Sequence, residues 1–170
     1  MTAIGETGME CGWETVHKEI IDLVHRYLED GMRVRIGPGR ALRIAEYLDI
    51  EVVKWHLPRS IGSVLVNGGV SEAVIYVNRD DPPTRQQFHI AHELGHCILH
   101  PRGIYAYGHG KDRFEREANI AAAEILMPEV EVRRVAKEKG VAPATLSRVF
   151  GVSRAAMRVR IEELGLSGTR

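Results

Sequence analysis

Apolar residues recur at helical spacing early in the chain. Between residues 13 and 30, Trp13, Val16, Ile20, Leu23, Val24, Tyr27 and Leu28 share one side of a helix, and Gly31 follows as its stop. The turn IGPGR, Ile36 to Arg40, leads into a short helix over 40–48. A β-branched run at Ile50–Val53 ends before Pro58. Two further strands are expected at Ser63–Val66 and Ala73–Val77, joined by the turn Asn67-Gly68-Gly69. The segment RDDPP, Arg79 to Pro83, breaks the chain before a helix over Thr84–Leu99. A loop rich in glycine and tyrosine, Gly103–Gly110, separates it from a helix over Asp112–Met127, which Pro128 closes. The remainder reads as two or three short helices. This pattern predicts an α+β fold, a small antiparallel or mixed sheet packed on a helix pair, with a helical tail. The expected divisions are an N-terminal helical extension over 1–39, a core over 40–128, and a tail over 129–170 packed on that core.

Composition narrows the function. Hydrophobic residues make up 44% of the 170, enough for a substantial core, so wholesale disorder is excluded. Lys+Arg and Asp+Glu both total 23, and this balance gives no general attraction to nucleic acid or anionic membrane. The amino terminus lacks a basic segment followed by an apolar one, and no apolar run reaches membrane-spanning length. Cys11 and Cys97 are too few for a disulfide framework, so a cytoplasmic protein is expected.

The chemistry concentrates in FHIAHELGHCILH, Phe88 to His100, which holds four histidines and a glutamate. At about 100° per residue, positions 89, 92, 93, 96 and 100 fall on one helical face. The i, i+4 pairs His92/His96 and His96/His100 both have metal-ligand spacing. Glu93 follows His92 and is a base positioned to deprotonate water, whereas Cys97 follows His96 and is not. The motif is therefore HExxH, His92-Glu93-Leu94-Gly95-His96, with one zinc ion expected per chain and manganese as the alternative. His89 and His100 are expected to support the site rather than ligate, and Cys97 to be a small core residue.

A catalytic zinc takes three protein ligands and leaves one position open. The following helix offers Glu115, Glu117 and Glu124. Glu115 has Asn119 one turn on, an amide able to orient a histidine, and is preferred over Glu117. Glu117 and Glu124 fall on another side, where a solvated face is the simpler expectation. Ala118, Ala121, Ala122 and Ala123 permit close approach to the first helix.

The segments RQQFHIAHELGHCILH and EREANIAAAEILMP resemble the ImmA/IrrE-type metallo-endopeptidases. The family pattern R-x-R-F-T-x-A-H-E-L-G-H-x-x-L-H is matched at Arg85, Phe88, Ala91, His92, Glu93, Leu94, Gly95, His96, Leu99 and His100. Its second part, E-x-x-A-N-x-F-A-x-x-L-L-M-P, is matched at Glu115, Ala118, Asn119, Ala122, Leu126, Met127 and Pro128. The resemblance extends over residues 40–166, from before AVIYVN to FGVSRAAMRVRIEELGL. It departs at Gln87 (usually arginine), His89 (usually a small hydroxyl residue) and Ala121 (usually phenylalanine). It implies a core that is a zinc peptidase, with His92, His96 and Glu115 as ligands, Glu93 as base, and Asn119 and His100 as supporting residues. It also implies site-specific cleavage of a helix-turn-helix repressor, which switches on the genes that repressor silences.

The substrate is expected to lie antiparallel along the Ala73–Val77 strand, read as a sheet edge, against Ile75, Tyr76, Val77 and Asn78, with His89 and Tyr107 nearby. Tyr105, Tyr107 and His109 are candidates to stabilise an oxyanion, although a simple loop is the plainer reading. The tail carries nine Lys and Arg against five Glu, and residues 143–163 resemble a helix-turn-helix. Arg148, Arg154, Arg158 and Arg160 are its phosphate-contact candidates. The rival reading is thus a DNA-binding or repressor-binding regulator with a structural or sensory zinc and no proteolysis. Packing of Val149, Phe150, Met157, Ile161 and Leu164 on the core is preferred, and direct DNA binding is disfavoured.

Overall fold

The computed structural model describes residues 7–66, 72–100 and 111–166, the side chains of 7–14, 111 and 112 excepted. The Asn67-Gly68-Gly69 turn, the Cys11 side chain, and the loop with Tyr105, Tyr107 and His109 lie outside the described part of the structure. The elements in order are α1 (Thr7–Leu28), a 3-10 turn (Glu29–Arg33), α2 (Arg40–Tyr47), β1 (Glu51–Trp55), β2 (Ser63–Val66) and β3 (Val74–Asn78). There follow α3 (Pro83–Leu99), α4 (Lys111–Leu126), α5 (Glu129–Lys139), α6 (Pro143–Phe150) and α7 (Arg154–Glu163). Pro83 opens α3 where its missing N–H costs nothing, and Pro128 caps the start of α5.

The fold is α+β, with helices outweighing a three-stranded mixed sheet of order β1-β3-β2. β1 runs parallel to β3, and β2 antiparallel to it. β3 is therefore the central strand, which corrects the expectation of an edge at Ala73–Val77. Tyr76 is matched by Val53 on one side and Val64 on the other, so the backbone of β3 is taken on both sides. Ile75, Val77 and Asn78 are buried. Asn78 has a structural task, donating from Nδ2 to the Ile61 carbonyl at 3.0 Å and to the Leu57 carbonyl at 3.2 Å. The four residues proposed to meet substrate thus hold the sheet together, and among the described residues the unpaired edge beside α3 belongs to β2.

Among the described residues one apolar core joins α1, α2, β3, α3, α4 and the tail. Ile20, Val24 and Leu28 enter it from α1 at i, i+4 and i+8. Ile75 and Val77 come from β3, Ile90, Leu94 and Cys97 from α3, and Ala122 and Ile125 from α4. The tail contributes Phe150, Met157 and Ile161, with Val149 and Leu164 packed at the margin. Burial pushes the Cys97 thiol up to about 12, so it behaves as a packing group.

The carboxylates of α4 are not all solvated, as the helical spacing had suggested. Glu124 is 1% exposed and forms an ion pair with Arg160 of α7. His25 of α1 stands 2.8 Å from its other oxygen. Arg160, expected at the surface, is 2% exposed and also donates to the Met127 carbonyl at 3.1 Å. Glu117 is buried too, for a reason that belongs to the site.

The contact of α3 with α4 is equally tight. A β-carbon on Gly95 would stand 2.9 Å from the Ala118 carbonyl oxygen and 3.0 Å from the Ala121 side chain. Gly95→Ala is expected to lower stability by about 1–3 kcal/mol by overpacking and to weaken metal binding by parting the helices; urea unfolding and metal titration measure the two effects. Glu124→Ala removes the buried partner of Arg160, leaving it only the longer ionic contact to Glu163, and is expected to cost about 3–5 kcal/mol, read as a lower urea midpoint.

Candidate metal centre

The i, i+4 spacing on α3 and the close approach of α4 bring three side chains to one point. The ligand atoms of His92, His96 and Glu115 all lie within 4.8 Å of one another, which makes them a group able to hold a metal ion. His92 Nε2 stands 3.1 Å from His96 Nε2 and 3.2 Å from Glu115 Oε2. His96 Nε2 is 3.7 Å from Glu115 Oε1. Tetrahedral zinc at the usual bond lengths sets its ligand atoms about 3.3 Å apart, so the residues fit such an ion.

Each imidazole is oriented from behind. The Nδ1–H of His92 donates to Asn119 Oδ1 at 3.0 Å, leaving Nε2 as the free electron pair. His96 is served by a longer chain. Arg113 Nε donates to Glu117 Oε1 at 2.6 Å, and His100 Nε2 donates to Glu117 Oε2 at 2.9 Å. In the tautomer protonated at that nitrogen alone, His100 presents Nδ1 as an acceptor, 3.2 Å from Nδ1 of His96. His96 thus donates through Nδ1 and turns Nε2 to the ligand cluster. Burial, with His92 and His100 adding to it, lowers the His96 pKa to about 3, so the ring is a neutral donor of electrons. Burial works to raise the Glu117 carboxyl, but hydrogen bonds from His100 and Arg113 outweigh it and hold the group below the ordinary glutamate range. This explains why Glu117 is buried. It sits behind His100, while Glu115 is the carboxylate beside the Nε2 atoms.

Glu93 borders the same cleft and is 8% exposed. Its Oε1 accepts a hydrogen bond from Ser63 Oγ of β2 at 2.7 Å. Burial raises its pKa, and the Ser63 hydrogen bond opposes part of that rise. Ser63 went unnoticed in the sequence reading; the alternation of SVLV was the available signal, since it puts Ser63 and Leu65 together on one face of the strand.

The cleft holds about 960 Å³ and runs between β2 and the faces of α3 and α4 that carry His92, Glu93, His96 and Glu115. His89 lines it without joining the ligand cluster. Its ring lies over Gly62, where any β-carbon would fall 2.0 Å from Nε2, and its Nε2 is 3.5 Å from Asp81. Burial lowers its pKa, with Asp81 acting in the opposite sense. Ile75, Tyr76, Val77 and Asn78 do not line the cleft.

Two comparisons bear on this arrangement. Residues 45–162 match the model of a peptidase family described as the IrrE N-terminal-like domain, which covers more than half of the chain and contains all the residues above. Over 91 residues the chain is 30% identical to immunity region protein 2 of Bacillus phage phi105, itself described as uncharacterized. That stretch is 51% of this chain and 57% of the phage protein, so the match spans little more than half of the relative's length.

Titration of the metal-free protein with zinc is expected to fill one site per chain and raise the melting temperature. His92→Ala and Glu115→Ala should abolish tight binding. Glu117→Ala should weaken it by about 10- to 100-fold, because the orientation of His96 is lost while every ligand remains. Unchanged affinity in Glu117→Ala, measured by competition with a chelator, would remove the relay.

Proposed function

The chain belongs to the IrrE N-terminal-like peptidase family, and from that premise we propose that it is a zinc-dependent endopeptidase. The supporting observation is the junction of a two-histidine, one-carboxylate cluster with a buried, serine-held glutamate. Three protein ligands of this kind, the group found among the described residues, would suit a hydrolytic rather than a structural zinc site. A divalent ion held by His92, His96 and Glu115 supplies Lewis acidity to an attacking water and to the scissile carbonyl.

The protein's own groups do the rest. Ser63 fixes one oxygen of Glu93, so the carboxylate has a single working orientation. The other oxygen takes the proton of the water and delivers it to the departing amide nitrogen. Burial makes Glu93 a better base than an exposed glutamate, and its conjugate acid remains a competent donor. The peptide lies extended along the open edge of β2, which borders the cleft, and satisfies its backbone there. This assignment takes the place of β3, which lacks a free edge.

The substrate class is a protein, and we assign the role of substrate to a helix-turn-helix repressor. The family resemblance and the place of the phage relative in an immunity region both support that choice. The contrary reading, a DNA-binding regulator with a sensory metal, draws on α6 and α7, which carry Arg148, Arg154 and Arg158 on the surface. It is weakened because Arg160, Met157 and Ile161 of α7 face the core. Charge-driven binding to duplex DNA would fall steeply with added salt, so a salt titration separates the two.

Incubated with zinc and its repressor, the protein is expected to make one defined cut. Glu93→Gln should keep its zinc and lose about 10²- to 10⁴-fold in rate. Cleavage by Glu93→Gln at the wild-type rate would overturn the assignment of the base.

A further inference from the structure

The cleft does not end at the ligand cluster. Phe88, one turn before His92 on α3, and Asn119, one turn after Glu115 on α4, line it on one side and line a second cavity on the other. That cavity, of about 610 Å³, continues along α3 towards Pro82 and along α4 towards Met127. Its far wall is the tail, with Val152, Ala156 and Val159. From Phe88 to Pro82 is six residues of α3, about 9 Å at helical rise, long enough for about three residues of extended chain.

The lining has the chemistry of an apolar side-chain pocket. Leu126, Met127 and Val152 form a buried floor, and Ala123 and Ala156 leave space where larger residues would fill it. Val159 stands 53% exposed at the mouth, a large apolar group only partly covered. The charges at the rim are already matched, Arg85 with Asp81 at 3.3 Å and Glu163 with Arg160 at 3.5 Å. Arg160 itself is committed to Glu124. Among the described residues the cavity thus offers no unpaired charge to an ionic ligand, and it adjoins the cleft at Phe88 and Asn119, which line both.

We propose that this groove is a specificity subsite which takes an apolar side chain of the polypeptide being cut, within about three residues of the scissile bond. The inference rests on the peptidase reading of the cleft. It gives the tail a function: α7 forms one wall of the substrate site and selects leucine-, isoleucine-, methionine- or phenylalanine-bearing segments over polar ones. The buried face of an amphipathic helix, once unwound into the cleft, is such a segment.

The test uses the zinc-loaded full chain and a mixed-sequence decapeptide library, with cut sites read by mass spectrometry. Wild-type cuts are expected to show large apolar residues at one fixed position near the bond, with leucine preferred to alanine by about tenfold or more. Ala156→Leu and Ala123→Leu fill the groove from opposite walls. Each should keep its zinc and reduce that leucine-to-alanine ratio at least about fivefold. Two variants guard against misfolding of either. Cuts without an apolar preference, or a preference unchanged in both variants, would overturn the subsite. Capture of the same library on zinc-loaded Glu93→Gln, with and without Ala156→Leu, reads binding apart from turnover. Apolar enrichment that Ala156→Leu removes, with no cutting by the wild type, would uphold the groove and defeat the peptidase reading. Capture without apolar enrichment would overturn the groove even if cleavage occurs.

Discussion

The contact between α3 and α4 at Gly95 is the constraint on which everything else depends. A metal cluster fed by two helices requires their backbones to approach so closely that short imidazole and carboxylate arms meet at one point. Gly95 lies inside the HExxH motif itself, midway between chemistry and packing, and its missing side chain is what admits the Ala118 carbonyl. The small residues along α4 complete the fit. The core holding this contact is supplied from both ends of the chain, by Ile20 and Val24 of α1 and by Phe150 and Met157 of the tail.

Periodic features were legible in the sequence. The His92, Glu93 and His96 face followed from helical geometry, and Glu115 was separable from Glu117 by its relation to Asn119. Strand order was not legible, because local alternation says which residues form strands but nothing about which strand lies between the others. β3 therefore read as an edge and is the centre. The buried charges were illegible for a similar reason. Glu124 and Arg160 look like solvated positions on their own helices, and only their pairing across 36 residues makes burial tolerable. Glu117 needed His100, just past the end of α3, beside Arg113 one turn before it on α4, before its burial made sense.

The departures from the family pattern have local accounts. Ala121 stands against Gly95, its side chain 3.0 Å from where a β-carbon there would lie, so bulk would part the helices. Gln87 donates from Nε2 to the carbonyls of Gly151 at 2.9 Å and Phe150 at 3.3 Å, tying the helix of His92 and His96 to the turn before α7. His89 depends on Gly62, so the strand side of the cleft and its extra imidazole are matched to each other.

The Glu124 network also bears on how such a chain diversifies. One carboxylate on α4, the helix that carries Glu115, is met by His25 from the beginning of the chain and Arg160 from near its end. Exchange of the last forty or so residues for those of a distant cousin would strand that carboxylate unless the newcomer brought a cation to the same depth. Inheritance of the three segments as a single block, rather than as interchangeable modules, is the pattern this geometry imposes.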